Sequence, residues 1–210
     1  EAMARVIAIP GYKAYFEKAF GPDSMTVENA ARAVAAFERT LITPNSAYDK
    51  YVKGDKQAMT EQQIRGMNTF ESAGCLACHS GPAFNGPEMK AGEGFYAKFP
   101  TFADNDYVAT YKIDQDKGRA EVTGKDADAN MFRVPTLRNI TDTAPYFHNG
   151  SVNDLHEAVR VMAKTQLNRD LTDGDVDDIV AFLGALTGEY PTITMPRLPA
   201  TPGKSLIADN

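Results

Sequence analysis

Apolar residues recur along this chain at helical spacing, in stretches separated by polar connections. Glu1–Ile7 reads as the middle of an amphipathic helix with no cap before it. The Pro10-Gly11 break precedes a short helix from Tyr12 to Phe20, with Tyr15, Phe16 and Phe20 along one side and Gly21-Pro22 as its stop. Thr26 is placed to cap a longer helix through Leu41, whose apolar face is Val27, Ala30, Val34, Phe37 and Leu41. Thr43-Pro44-Asn45 ends it. Ser46 opens a short helix through Tyr51, closed by Gly54. Thr60 and Gln63 form a capping box for the next helix, with Ile64, Met67 and Phe70 as its inner stripe.

From Ser80 to about Asn130 the pattern weakens. Gly, Pro, Asp and Lys recur and no helix of normal length fits. So long an irregular stretch inside a compact domain is often functional. Short strand pairing fits around Tyr107–Tyr111. Order returns at Phe132–Ile140, and Thr143–Gly150 is a tight, turn-rich segment. A helix from Val152 to Thr165 carries Leu155, Val159 and Met162 on one face. Thr172 caps a last helix, Asp175 to Leu186, with Val176, Ile179, Val180 and Leu183 inward. Gly188 and Pro191 end it. The Pro-rich tail has no helical period, yet Ile193, Met195, Leu198, Leu206 and Ile207 make it too apolar for an obvious free linker. The predicted class is all-α, with long irregular connections.

Cys75-Leu76-Ala77-Cys78-His79 changes the picture. C-x-x-C-H is the attachment signature of a c-type haem. Two thiols on one helical turn can each add to a haem vinyl group, and the adjacent His reaches the iron from one face. A zinc site would want a second Cys or His cluster, and only His148 and His156 remain. A thioredoxin-like pair would want a βαβ context, which the pattern lacks. Both Cys are then spent on haem, and no disulfide framework is available.

Composition narrows the partners. The 210 residues suffice for one large domain or two small ones, and 43% are hydrophobic. The net charge of −6 argues against general affinity for nucleic acid or anionic membrane and is compatible with a basic protein partner. No run is long and apolar enough to span a bilayer, and no signal peptide is visible. Haem c is attached to reduced thiols on the exported side of a membrane, so a periplasmic address follows from the motif. The chain is expected to have lost a targeting segment or to be a piece of a longer protein.

His79 leaves one axial position of the iron open. Met162, Met131, Met89, Met67, His148 and His156 are the candidates. A thioether raises the haem potential and suits electron transfer, a second His lowers it, and an open position permits peroxide or oxygen chemistry. Met162 lies on the apolar face of a helix well separated from the C-x-x-C-H turn, and Met131 just before an extended, Pro-containing stretch. The residue types alone leave these two close to even, since Met is also a common gap filler.

Phe132–Asn139, Thr143–Gly150, Glu157 through Met162, and Gln166-Leu167 closely resemble bacterial dihaem cytochrome c peroxidases. Ala35–Leu41, Thr43–Ser46 and Ile179–Leu183 are also similar to that family. The resemblance covers nearly the whole chain. It implies a cytochrome c-like, high-potential haem domain in which His79 is the proximal and Met162 the distal ligand. It implies calcium held partly by backbone oxygens at Thr143 and Pro145. Related quinone-cofactor maturation enzymes carry Tyr where this chain has Met162, which favours the peroxidase branch.

One departure matters. The chain has a single C-x-x-C-H and no Trp, whereas the family has two haems and a Trp between them. The resemblance therefore implies the C-terminal part of such an enzyme. Residues 1–45 would belong with a missing N-terminal haem domain, 46–190 form the cytochrome c domain, and the tail 191–210 packs on the missing domain. No catalytic residue is expected in this chain. The expected role is to take electrons from a small cytochrome c or cupredoxin for the reduction of hydrogen peroxide, in a protein that is often a homodimer in this family. The alternatives are a stand-alone monohaem electron-transfer cytochrome and a dihaem oxidase of the quinone-cofactor maturation type.

Overall fold

The computed structural model describes residues 1–90 and 92–200. The expected tail positions Leu206 and Ile207 lie outside the described residues. The chain divides into two compact units, one of residues Pro44–Glu189 and one of Glu1–Thr43 with the segment from Tyr190.

The first unit is organised about one helix crossing. Helix α5 (Glu61–Ala73) packs on α9 (Asp173–Gly184). The two approach so closely at Gly66 that a Cβ there would lie 1.7 Å from the carbonyl oxygen of Asp178. Phe70, Phe84 and Phe182 fill the space beside the crossing with ring centroids 5.4 to 6.3 Å apart, and Tyr48 of α4 (Ala47–Val52) adds an edge contact to Phe84 at 5.2 Å. Such tilted and edge-to-face pairs add to the burial of apolar area. Ile179, Leu183 and Leu186 complete this core.

The capping residues read from the sequence do their work. The side chains of Ser46, Thr60 and Thr172 accept from the backbone N–H three residues on and form capping boxes with Asp49, Gln63 and Asp175. Helix α8 (Leu155–Leu167) starts later than Val152. Val152 is drawn into a bridge with Tyr146, whose N–H donates to the Val152 carbonyl at 2.7 Å, and Asp154 becomes the cap.

The region between Ser80 and Asn130 holds more order than its composition predicts. Strand β1 (Tyr96–Lys98) pairs antiparallel with β2 (Met131–Arg133), Tyr96 opposite Arg133 and Lys98 opposite Met131. Tyr107–Tyr111 does not pair as a strand. It lies in helix α6 (Asp106–Tyr111), and a short helix α7 (Ala120–Thr123) follows. Asn105 caps α6, Val108 is buried, and the Tyr111 hydroxyl donates to Glu157 on α8 at 2.7 Å. Strand preference is a matter of packing context, and here the cap and these anchors outweigh it. The regular structure of the described residues is thus mostly helical with one small sheet.

The second unit carries α1 (Ala2–Ile7), α2 (Gly11–Phe20) and α3 (Val27–Glu38), with Thr26 capping α3 as its sequence predicts. None of these helices buries a residue. The apolar face of α3 is bare, with Val27, Val34 and Phe37 exposed by 63, 57 and 48%. Pro199 of the tail segment packs on Gly11, and the Tyr15 hydroxyl donates to the Arg197 carbonyl at 3.4 Å. Among the described residues, no helix is long and apolar enough to cross a membrane.

Candidate functional site: an apolar cavity behind the C-x-x-C-H turn

Helix α5 stops at Gly74, whose left-handed conformation (φ 101°) turns the chain into a short 3-10 turn at Cys75–Ala77. Glycine takes this conformation without the steric cost a side chain would bring. The turn brings Cys75, Cys78 and His79 to the wall of an apolar cavity of about 470 Å³. That volume falls in the range of small-molecule and cofactor sites.

His79 is buried, and its Nδ1 lies 2.9 Å from the carbonyl oxygen of Phe84. A carbonyl can only accept, so Nδ1 carries the hydrogen and Nε2 keeps the lone pair. Burial lowers the His79 pKa, against an opposing pull from the Phe84 carbonyl, and keeps the ring neutral. A neutral imidazole with its Nδ1–H tied to a backbone carbonyl is the usual state of a metal-ligating His.

Helix α8 contributes another part of the lining. Leu155, Val159, Met162 and Gln166 all line the cavity, as their spacing along one helical face requires. Phe99, Phe132, Val134 and Phe147 also line it.

The candidate sixth ligands separate. Met162 and His148 line the cavity, whereas Met131, Met89, Met67 and His156 do not. Met131 sits in β2, Met89 is exposed, and Met67 of α5 packs against the aromatic core. His156 lies 3.9 Å from Asp154 and 3.4 Å from Asp177. His148 is already engaged: its ring stacks on Phe132 at 4.3 Å and meets Phe99 edge-on at 6.0 Å.

The setting of the thiols does not favour a redox disulfide. Burial pushes Cys75 up to about 11 and raises Cys78 as well. A reactive C-x-x-C pair needs the opposite, a thiolate favoured near neutral pH. No group of three or more His, Cys, Asp or Glu able to hold a metal occurs among the described residues, so a zinc site is also disfavoured. Two thiols, a neutral imidazole and a thioether on the wall of one apolar cavity fit an iron porphyrin. Thr143 and Pro145 line the same cavity, and the Thr143 hydroxyl donates to the Ile140 carbonyl at 3.2 Å.

Side-chain reasoning missed one participant, the Phe84 carbonyl. Phe84 holds φ at 52°, and nothing in a Phe side chain announces that its backbone will face a histidine.

The mostly helical fold with its small sheet is consistent with a cytochrome c-like fold. Residues 1–57 match the family described as di-haem cytochrome c peroxidase. The chain is 42% identical over 194 residues to the cytochrome c551 peroxidase of Nitrosomonas europaea, and 41% identical over 196 residues to that of Pseudomonas aeruginosa. Each alignment takes 92% of this chain and 54% of the relative, so the chain spans about half the length of these curated relatives. Among solved structures it matches a MauG-like protein associated with microbial copper homeostasis, with TM-score 0.66 and 28% identity, over 89% of this chain and 61% of that one. The chain is a relative of the di-haem cytochrome c peroxidases, a family whose name implies haem c as cofactor.

Proposed function

We propose that this chain is the electron-accepting haem domain of a peroxidase that reduces hydrogen peroxide to water. One observation carries the reading: Cys75, Cys78, His79 and Met162 line a single apolar cavity. Cys75 and Cys78 tether the haem covalently, His79 ligates the iron through Nε2, and Met162 does so through its thioether. The bound haem supplies a one-electron carrier. Around it, the Phe84 carbonyl fixes the imidazole, and the aromatic and aliphatic walls exclude water. Thioether ligation and a dry surround both favour a high potential. Electrons come from a small cytochrome c or cupredoxin, and charge governs the encounter rate more than the affinity.

Peroxide cleavage belongs to a second haem domain, and residues 1–45 with the described part of the tail, 191–200, pack with that domain. The bare face of α3 and the half-length match to the relatives support this. Calcium binds backbone oxygens at Thr143 and Pro145, completed by the other domain. The address is periplasmic because haem c is attached on the exported side of a membrane.

The test begins with an intact mass of the full native protein, which reports length and haem count together. Two covalent haems are expected; a native chain starting near Glu1 with one haem would make this a stand-alone electron carrier. The oxidised protein should show a near-infrared methionine-to-iron charge-transfer band that disappears in Met162→Ala. Survival of the band removes Met162 as ligand. Calcium chelation should lower Tm, and an unchanged Tm removes the ion from the account. Likeness to the MauG-like structure favours a second reading, an oxidase acting on a protein or small organic substrate. That reading requires poor peroxide turnover with reduced cytochrome and good turnover of another reductant.

A further inference from the structure

The turn that follows His79 is pinned chiefly by Arg138. Arg138 donates through Nε and Nη2 to the Pro82 carbonyl at 2.9 and 2.8 Å. Its Nη1 donates to Ser46 Oγ at 3.1 Å, and its Nη2 lies 2.9 Å from Asp49 Oδ1. The guanidinium also stands 5.5 Å from the ring centroids of Tyr48 and Phe84. Ser46 is fully buried, so the arginine is anchored in the body of the domain. Burial alone would raise the Asp49 pKa, but hydrogen bonds from Ser46 and Arg138 and the guanidinium charge outweigh it and hold the carboxyl below its ordinary value. Thr136, two residues before Arg138, donates to the Ala83 carbonyl at 2.6 Å.

Two successive carbonyls, of Pro82 and Ala83, are therefore held by the 136–138 segment. The next carbonyl, of Phe84, is the acceptor of His79 Nδ1–H. Phe84 has a left-handed backbone (φ 52°), which a bulky residue keeps only where its surroundings enforce it. With its two predecessors pinned, the Phe84 carbonyl has little freedom to turn away from the imidazole.

We infer that Arg138 is a positioning residue, which aims the Phe84 carbonyl at His79 Nδ1 and thereby sets how strongly Nε2 donates. This rests on the reading of His79 as an iron ligand. A tight bond at Nδ1 makes the imidazole a stronger base and orients it. A stronger base favours the ferric state, so loosening the bond raises the midpoint potential. Only a planar fork grips one carbonyl with two N–H groups while reaching Ser46 and Asp49, so lysine does not substitute.

The experiment compares wild type with Arg138→Lys in the full haem-loaded protein. Charge is kept and the fork is lost, so a Coulomb effect of Arg138 does not confound the result. The midpoint potential should move upward, and the His79 Nδ1–H, followed by NMR in the ferrous protein, should exchange with solvent roughly tenfold faster or more. Arg65→Lys, which disturbs the exposed Arg65–Asp178 pair, should leave both unchanged. A potential and exchange rate equal to wild type in Arg138→Lys overturn the inference. Should that variant not fold, the charge-neutral Thr136→Val decides: it should shift both readouts the same way by less, and no shift overturns the inference. A His79→Ala protein whose iron keeps the wild-type ligation spectrum would instead sink the ligand assignment itself.

Discussion

Helices α3 and α8 carry apolar faces of similar regularity and meet different fates. On α8, Leu155, Val159 and Met162 line the cavity, and Val161 behind them is fully buried. On α3, Val27, Val34 and Phe37 stand in solvent. A helical period states that a face is to be covered; it does not state by what. Each unit obeys its own pattern, but within the described residues only the unit of Pro44–Glu189 contains the partners its pattern asks for.

The sharpest way to break this comparison is Phe182→Ala. Phe182 is 1% exposed and touches the rings of Phe70, Phe84 and Tyr48. Its loss should cost about 3–5 kcal/mol in denaturant unfolding of the haem-loaded protein. A cost below about 1 kcal/mol would show that this core is not the organising one. Gly66→Ala comes next, at about 1–3 kcal/mol, because the added methyl must push the backbone of α9 away. An unchanged Tm in this variant would mean that the helices do not cross there.

Tyr111→Phe should cost about 1 kcal/mol through the lost hydrogen bond to Glu157. It carries a pH signature as well. That bond, with burial and the carboxylate charge, pushes the Tyr111 pKa up to about 12. An unfolded tyrosine titrates near about 10. The folded value is the higher one, so the phenol's contribution is complete below pH ~10 and is lost as pH rises towards 12. The alkaline fall in stability should be smaller in Tyr111→Phe, and an identical fall in both proteins would exclude Tyr111 as its source. The smallest effect is expected at Val34→Ser, within about 0.5 kcal/mol in this chain alone. In the full-length protein, where the proposed neighbouring domain covers α3, the same change should cost about 1–3 kcal/mol. Equal costs in the two proteins would remove α3 from that interface.

Local chemistry was legible because it is written in neighbours. Thr26, Ser46, Thr60 and Thr172 cap helices since their hydroxyls reach an N–H three residues away, a relation that needs no distant partner. The C-x-x-C-H turn and the face of α8 are readable for the same reason: their spacing follows the helical repeat. Tyr107–Tyr111 misled because its strand-like residues would have needed a partner strand. The chain placed that pairing instead between Tyr96–Lys98 and Met131–Arg133, more than thirty residues apart.

What the amino-acid order determined by itself is therefore the helices outside the 80–130 region, the C-x-x-C-H signature and a short roster of axial candidates. Tertiary structure decided which of those candidates share a cavity, leaving Met162 and an already engaged His148. It also decided that a backbone carbonyl, at Phe84, would orient His79. The physical reason is that every residue carries the same carbonyl group. Its role comes only from where long-range packing aims it, and no side chain records that direction.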